Sequence, residues 1–198
     1  FLTQATFGPT DAEVERVMAM GYGAWIDDQW AKPVSGHRVS FEAMDAAAKA
    51  AGSSSVWQDG TINSFWKHAL RGEDQLRQRV AYAWSQIMVI SMQDGGVGDN
   101  PRAVSAYLDM LADKGLGTYR DLLEGVALHP MMGVYLSHLK NQKADARTGR
   151  VPDENFAREV MQLFSIGLHE LNADGSPRMN GAAPVETYTD KDIGGLAK

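Results

Sequence analysis

Cysteine is absent from this chain of 198 residues. A protein without cysteine has no disulfide, no thiolate zinc site and no thiol nucleophile. Long apolar runs are absent too, since no stretch approaches the roughly 18 uninterrupted apolar residues that indicate a membrane-spanning helix. The residues from Phe1 onward form no basic region followed by an apolar one, so we expect any export signal to have been removed or never included. These absences exclude cysteine-based catalysis and predict a protein without a membrane span.

Basic residues are in the minority, with 19 Lys and Arg against 25 Asp and Glu and a formal net charge of -6. A nucleic-acid-binding protein usually carries a basic stripe that replaces phosphate counterions. The nearest approach to one here is Arg71, Arg77 and Arg79. Glu73 and Asp74 lie among these arginines, so we expect the two groups to form ion pairs. Nucleic acid is therefore not an expected partner.

Familiar catalytic and cofactor-binding motifs are missing as well. The sequence has no Gly-x-Ser-x-Gly elbow, no phosphate-binding loop and no dinucleotide fingerprint. Its five histidines form no His-Glu-x-x-His or Glu-x-x-His motif. We therefore predict no cofactor and no metal ligands.

Apolar residues recur with the helical period over most of the chain, which predicts an all-α fold. Around Val80, Trp84 and Ile87 the remaining faces are apolar too, so we expect this segment to be the central and most buried helix. Residues 171–188 are rich in turn formers, which predicts an irregular segment or a short hairpin. The only serine-rich linker joins helices rather than domains, so we expect residues 1–198 to form one helical unit.

Two of the expected helices have clear local start signals. Thr10 follows Pro9 and precedes an apolar-periodic segment that ends at Gly21, which predicts a capped short helix. Pro101 suits the first turn of a helix that ends at Gly115.

The helix that begins after Pro152 is polar on one side and aromatic on the other. At 100° per residue, five of its polar side chains share an arc of about 140°. We call them the polar arc: Glu154, Asn155, Arg158, Glu159 and Gln162. Such an arc could hold a polar substrate, with Glu154 or Glu159 as general acid or base and Arg158 charging the site, while Asn155 and Gln162 bind substrate. A solvated helix face with an ordinary Glu154 to Arg158 pair gives the same pattern.

Four segments carry a more specific pattern. They are FLTQATFGPT at 1–10, QLRQRVA at 75–81, PDENFARE at 152–159 and QLFSIG at 162–167. In this order they resemble the bacterial domain of unknown function 1800 family. Tyr188-Thr189 and Asp192-Ile193 resemble the segment leading into that family's next helix. The resemblance spans the whole chain, and because the family's domain is longer, the chain resembles its N-terminal portion.

The resemblance implies a mostly helical, exported bacterial protein of the periplasm or the extracellular medium, with no established activity. The partners that it implies are a sulfatase-like protein and the remaining C-terminal part of the same domain. Because Glu154, Asn155, Arg158 and Glu159 match the family signature, it also favours a role for the polar arc beyond that of a solvated face. If that role is a buried network, we expect Arg158 to be inaccessible and bonded to a carboxylate.

Three hypotheses of function follow. The first is a helical module that acts with protein partners at the bacterial envelope or outside the cell. The second is a hydrolase that acts on a polar substrate, such as a polysaccharide, through Glu154, Arg158 and Glu159. The third is a metal-binding module that uses His169 and acidic residues. It ranks last because Ser85, Ile87 and Phe164 stand where some members of the family carry histidines.

Overall fold

The computed structural model describes residues 1–197 and is helical almost throughout. In the described residues the helices are α1 (Leu2–Ala5), α2 (Asp11–Met20), α3 (Tyr22–Ala31), α4 (His37–Ala50), α5 (Gln58–Arg71), α6 (Gln75–Ser85), α7 (Gly95–Gly98), α8 (Pro101–Lys114), α9 (Tyr119–Leu128), α10 (Pro130–Tyr135), α11 (Asn155–Gln162) and α12 (Asp190–Leu196). An antiparallel hairpin of β1 (Met179–Asn180) and β2 (Ala183–Pro184) lies between α11 and α12. The all-α prediction is confirmed, as is the hairpin expected within 171–188. Over residues 1–197, no helix combines the length and the apolar character that a membrane span requires.

The chain divides into two compact units, Phe1–Met131 and Met132–Lys198. The first unit is built around α8, which packs against α4, α5, α6 and α9. Val104, Tyr107 and Leu111 of α8 are at most 5% exposed. The most apolar environment of this unit is therefore centred on α8.

The helix expected at the centre, around Val80, Trp84 and Ile87, is α6, and that expectation is wrong. Val80 and Trp84 are only half-buried, and Ile87 is exposed beyond the end of the helix. The face that α6 buries is partly polar and includes Arg77 and Gln78. Hydrophobic periodicity misses such a face because it assigns burial to apolar residues alone.

Local signals identified two helix starts correctly. The Thr10 hydroxyl accepts a hydrogen bond from an N–H in the first turn of α2 (3.3 Å), and Pro101 occupies the first turn of α8. The start of α4 has no side-chain cap from its own residues. Its N–H groups at His37 and Arg38 donate instead to the Asp109 carboxylate of α8. A cap that comes from a residue so distant along the chain has no local sequence signal.

Arg77 is a buried cation that links three helices. Its guanidinium donates to the carbonyl oxygens of Ala112 (3.1 Å) and Trp30 (2.9 Å). These carbonyls lie in the last turns of α8 and α3, where the helix dipoles concentrate partial negative charge. Arg77 therefore stabilises two helix ends at once.

The ion pairs expected between Arg71, Arg77 or Arg79 and the neighbouring acids do not form among the described residues. That expectation is wrong because the Asp74 carboxylate points inward, where it accepts the Ser35 N–H (2.9 Å). Arg79 lies over the ring of Phe7, with 5.4 Å from Cζ to the centroid.

The second unit contains a small apolar cluster and a polar side chain that links distant backbone segments. Ala157 of α11 packs with Ile193 of α12 and with Ala197. The Asn141 Nδ2 group donates to the carbonyl oxygens of Asp153 (2.8 Å) and Ala197 (2.9 Å), and its Oδ1 accepts the Asp153 N–H (2.9 Å). Asn141 thus connects the start of the α11 segment to the end of α12.

The hairpin of this unit is exposed to solvent and includes the apolar Met179. Its turn contains Gly181 at φ +64°, a left-handed conformation that glycine adopts without strain. Asn180 directly before it is exposed. The turn therefore follows the ordinary chemistry of tight hairpins.

Candidate functional site

The polar arc lies at the surface of the second unit. Arg158 Nη2 is 2.7 Å from Glu154 Oε2, and the two side chains are 46% and 40% exposed. Asp190 Oδ1 is 3.7 Å from the same nitrogen. The expectation of an inaccessible Arg158 is wrong, because α11 buries its opposite face through Phe156 and Ala157. The pair is the ordinary solvated one.

The other members of the polar arc are not drawn together. Asn155 and Gln162 are exposed, and Glu159 is half-buried. The side chains of these three residues make no hydrogen bond within residues 1–197. The sequence thus predicts that these residues share one side of α11. Within the polar arc, the structure shows an ion pair only between Glu154 and Arg158.

A charged cleft of about 560 Å³ lies beside α11. Arg158 is the only member of the polar arc that lines it; the other polar residues there are His169, Glu186, Tyr188, Thr189, Asp190 and Lys191. His169 and Glu186 pair in an isolated bridge between their segments. Both signs of charge are available in this cleft, so it can hold a polar molecule.

The cleft does not assemble a cluster of metal ligands. Glu170, which follows His169, is engaged with Arg178 at 2.7 Å. No group of three or more His, Asp or Glu side chains suited to a metal ion occurs among residues 1–197.

A second candidate site is an apolar groove of about 360 Å³ in the first unit, between α5, α6 and α8. We call it the α5/α6/α8 groove. Its rim carries Ile62, Tyr82 and Val89, which are between 38% and 45% exposed. Its inner wall includes Phe65 and Leu108. The groove is therefore an apolar surface left open by the packing of three helices.

The floor of this groove is polar and includes His37 and Gln78. Gln78 Nε2 donates to the Ser35 carbonyl (3.1 Å) and to Asp74 Oδ2 (3.0 Å), so its amide oxygen must face His37. That oxygen lies 3.0 Å from His37 Nε2, which must then carry a proton. The tautomer of His37 is thus fixed by its neighbours.

The other nitrogen of His37 meets a serine. Ser64 Oγ is 3.1 Å from His37 Nδ1 and 2.7 Å from the Thr61 carbonyl oxygen. Ser64 is completely buried, so this serine-histidine pair has no access to a substrate carbonyl. Burial, reinforced by the neighbouring His68, lowers the pKa of His37. The pair is a satisfied core element rather than a nucleophilic dyad.

Sequence reasoning missed the groove although its signal was present. Tyr82 and Val89 lie off the main apolar stripe of their segment, and such additional apolar faces predict complete burial. A helix that is apolar all round is buried or covers a partner. Only the structure distinguishes these cases, because it shows Tyr82 and Val89 exposed.

Comparison with known proteins gives one match. The model of the family described as "Protein of unknown function (DUF1800)" matches residues 1–198. No curated protein and no solved structure matches the chain.

Proposed function

The chain belongs to the family described as Protein of unknown function (DUF1800), a description that names no reaction, and from its surfaces we propose that it is a protein-binding module. The occupant of the α5/α6/α8 groove is an apolar segment of a partner protein. The place of action is the bacterial envelope or the medium outside it, and this part of the proposal is supported by the family resemblance alone.

The observation that carries the proposal is the exposed apolar rim. Ile62, Tyr82 and Val89 come from different segments and surround one groove. Contiguous apolar patches on a folded protein usually mark interaction sites, because water contact with them is unfavourable. Isolated exposed apolar residues are common on protein surfaces and need no such explanation. Several exposed apolar residues around one groove do need one.

The polar floor determines what the partner must provide. His37 and Gln78 already have hydrogen-bond partners inside the unit. An incoming segment therefore gains most by filling the groove with apolar side chains rather than by bonding to its floor. An amphipathic helix with apolar residues at helical spacing has this character. The family resemblance makes a sulfatase-like protein the first candidate partner.

Photo-crosslinking in bacteria that produce the chain tests this proposal. A p-benzoyl-phenylalanine residue at Ile62 should yield one major crosslinked protein, identified by mass spectrometry. The same residue at Val39, which is 71% exposed on α4, is the control and should not yield that product. Val89→Asp should abolish the crosslink and Val39→Asp should preserve it, because only the first places a charge in the groove. Equal products from both positions, or none from Ile62, would contradict the proposal.

A hydrolase is the second candidate, favoured by the charged cleft beside Arg158. In this case Arg158 holds a polar substrate such as a polysaccharide in the cleft, and Glu154 or Glu159 acts as general acid or base from the polar arc beside it, outside the lining of the cleft. Release of reducing ends from cellulose, chitin and alginate is the assay. Glu159→Gln or Glu154→Gln should then lower the rate by about 10²-fold or more, and Glu170→Gln, which disturbs only the pair with Arg178, should not. No hydrolysis by the wild-type chain would exclude this candidate for these substrates.

A further inference from the structure

A second cavity of the first unit, of about 630 Å³, lies between α4, the loop before α5 and the start of α8. Its walls include an aromatic ring, two carboxylates, an amide, a guanidinium and an imidazole: Asp45, Trp57, Asp99, Asn100, Arg102 and His129. Apart from Asp45, none of these side chains is buried. We call this cavity the Trp57 cavity. The α5/α6/α8 groove contains none of its lining residues.

Trp57 is held at the rim by the loop that carries it. The Val56 N–H donates to Asp45 Oδ1 (3.1 Å), and the Trp57 N–H donates to Asp59 Oδ1 (2.9 Å). Asp45 is itself buried and paired with Lys49 Nζ at 2.6 Å, which lowers the pKa of its carboxyl group. The loop is thus attached to α4 by a carboxylate that stays ionised. About half of Trp57 remains exposed, and its ring has no aromatic partner within residues 1–197.

Two side chains of the lining, His129 and Arg102, have hydrogen-bond donors available for a ligand. His129 Nδ1 accepts the Met131 N–H (3.2 Å), so the ring proton of the neutral imidazole lies on Nε2. Burial lowers the pKa of His129, which keeps the ring neutral at pH 7. The Arg102 guanidinium stands 3.9 Å from Glu42 and 3.8 Å from Asp45. Both separations exceed hydrogen-bond length, so its N–H groups remain available.

Two acceptors complete the lining. Asn100 Nδ2 donates to the Gly96 carbonyl oxygen (2.9 Å), which leaves the amide oxygen of Asn100 for other donors. The Asp99 carboxylate accepts no hydrogen bond from the described part of the chain. Donors and acceptors therefore line the same cavity as one half-exposed aromatic ring.

From this arrangement we propose that the Trp57 cavity binds a saccharide, with a sugar ring stacked on Trp57 and its hydroxyls bonded to Asp99, Asn100, Arg102 and His129. A sugar presents C–H groups on one face and hydroxyls that both donate and accept, so it matches an aromatic ring beside mixed polar groups. Of the cations that line the cavity, Lys49 is paired with Asp45 and Arg38 with Glu42. A simple anion therefore fits less well, because Asp99 offsets the charge of Arg102. An apolar ligand would strand the charges. The proposal stands independently of the α5/α6/α8 groove.

Saturation-transfer NMR and calorimetry with cellotetraose, chitotetraose and maltotetraose test this site on the whole chain. We expect at least one of them to bind, with saturation strongest on the sugar C–H protons. Trp57→Ala should weaken binding by about tenfold, the loss expected for one stacked aromatic ring. Trp66→Ala is the matched control, since Trp66 is similarly exposed but lies outside this cavity, and it should bind like wild type.

A second variant separates binding from folding. Asp99→Ala removes one acceptor without touching the loop of Trp57, and it should also weaken binding while the unfolding curve stays unchanged. Three results would overturn the proposal: no binding of any of the three sugars at about 10 mM, equal losses in Trp57→Ala and Trp66→Ala, or displacement of a bound sugar by inorganic phosphate. The last result would identify an anion site instead.

Discussion

Arg77 and Arg158 show that the same side chain has very different effects in two environments. Arg77 is 8% exposed and bonds only to backbone carbonyls, whereas Arg158 is solvated beside Glu154. A charge-assisted hydrogen bond in a buried place contributes far more than a surface ion pair, because water does not replace it. The stabilising arginine is therefore the one without a carboxylate partner.

Arg77→Ala should lower the free energy of unfolding by about 3–6 kcal/mol, because two charge-assisted bonds of about 1.5–3 kcal/mol each are lost. Urea unfolding followed by tryptophan fluorescence measures this change. All five tryptophans lie in the first unit, so the signal reports the unit that contains Arg77. Arg79→Ala, which removes a partly exposed cation over Phe7, should cost about 1 kcal/mol. Equal losses from the two variants would contradict the helix-capping role of Arg77.

Arg158→Ala should lower stability by less than about 1 kcal/mol, since both members of the Glu154 pair are solvated. The second unit has no tryptophan, so hydrogen exchange of peptides from α11 is the suitable measurement. Added salt should reduce the small difference further by screening the pair. A loss of several kcal/mol would mean that the polar arc is covered in solution.

At the scale of elements, the contact between α4 and α5 depends on Gly60. A Cβ at this position would lie 2.8 Å from ring carbons of Phe41 and 3.0 Å from Val56 Cγ2. Helices usually gain from the replacement of glycine by alanine. Here the close approach of α4 and the loop reverses that preference.

Gly60→Ala should destabilise the first unit by about 1–3 kcal/mol, the usual effect of overpacking. Gly23→Ala is the matched control, because Gly23 also lies in the first turn of a helix and its added Cβ would meet nothing within 4 Å. This control should gain about 0.5–1 kcal/mol. Urea unfolding of both variants measures the difference in sign. If Gly60→Ala were also stabilising, α4 and α5 would be further apart than described.

Element type was predictable from the sequence, whereas the burial of particular faces was not. The cap at Thr10 and the proline at Pro101 act within one turn, so their effect is visible locally. The α6 helix buries Gln78 because its side-chain NH₂ group donates to the Ser35 carbonyl, in the loop before α4, and its amide oxygen faces His37 of α4. Long-range polar pairing of this kind leaves no periodic pattern in the sequence. A periodic pattern also places the apolar rim of the groove in the core, because it assigns burial to apolar residues alone.

The whole molecule should show a pH-dependent stability that originates in buried histidines. The native pKa values of His37 and His129 lie below their ordinary value, mainly because of burial. As the pH falls below about 6.5, the unfolded chain binds protons that the native state does not, so stability is lost toward acid. The lowered carboxyl pKa values of Asp45 and Asp74 act only at lower pH, near and below about 4.

Urea unfolding between about pH 7.5 and 5 should therefore show a decline of up to about 1.4 kcal/mol per pH unit for each histidine involved. His37→Gln should be less stable at neutral pH but should show a flatter dependence, because one titrating group is gone. Tryptophan fluorescence again reports the correct unit, since both histidines lie in it. Parallel curves for wild type and variant would assign the effect to other groups.

The candidate sites also differ in how much the sequence could predict. The polar arc was found because its members lie on one helix, and the charged cleft beside it was not, because Arg158 meets His169, Glu186 and Lys191 only through the fold. The Trp57 cavity likewise combines four separated segments. A surface that is assembled from distant parts of a chain is recognisable only in the folded structure.

Two asparagines of the second unit should differ in their rate of deamidation during storage. The side chain of Asn141 is bonded to both Asp153 and Ala197, whereas Asn180, directly before Gly181, is exposed. Spontaneous deamidation requires the following backbone nitrogen to attack the side-chain amide, and a small, mobile Asn-Gly turn permits this attack. The chain should therefore acquire its first acidic charge variant at Asn180, in the hairpin tip. Asn141 should resist the same chemistry, because its side chain is held in place from both ends.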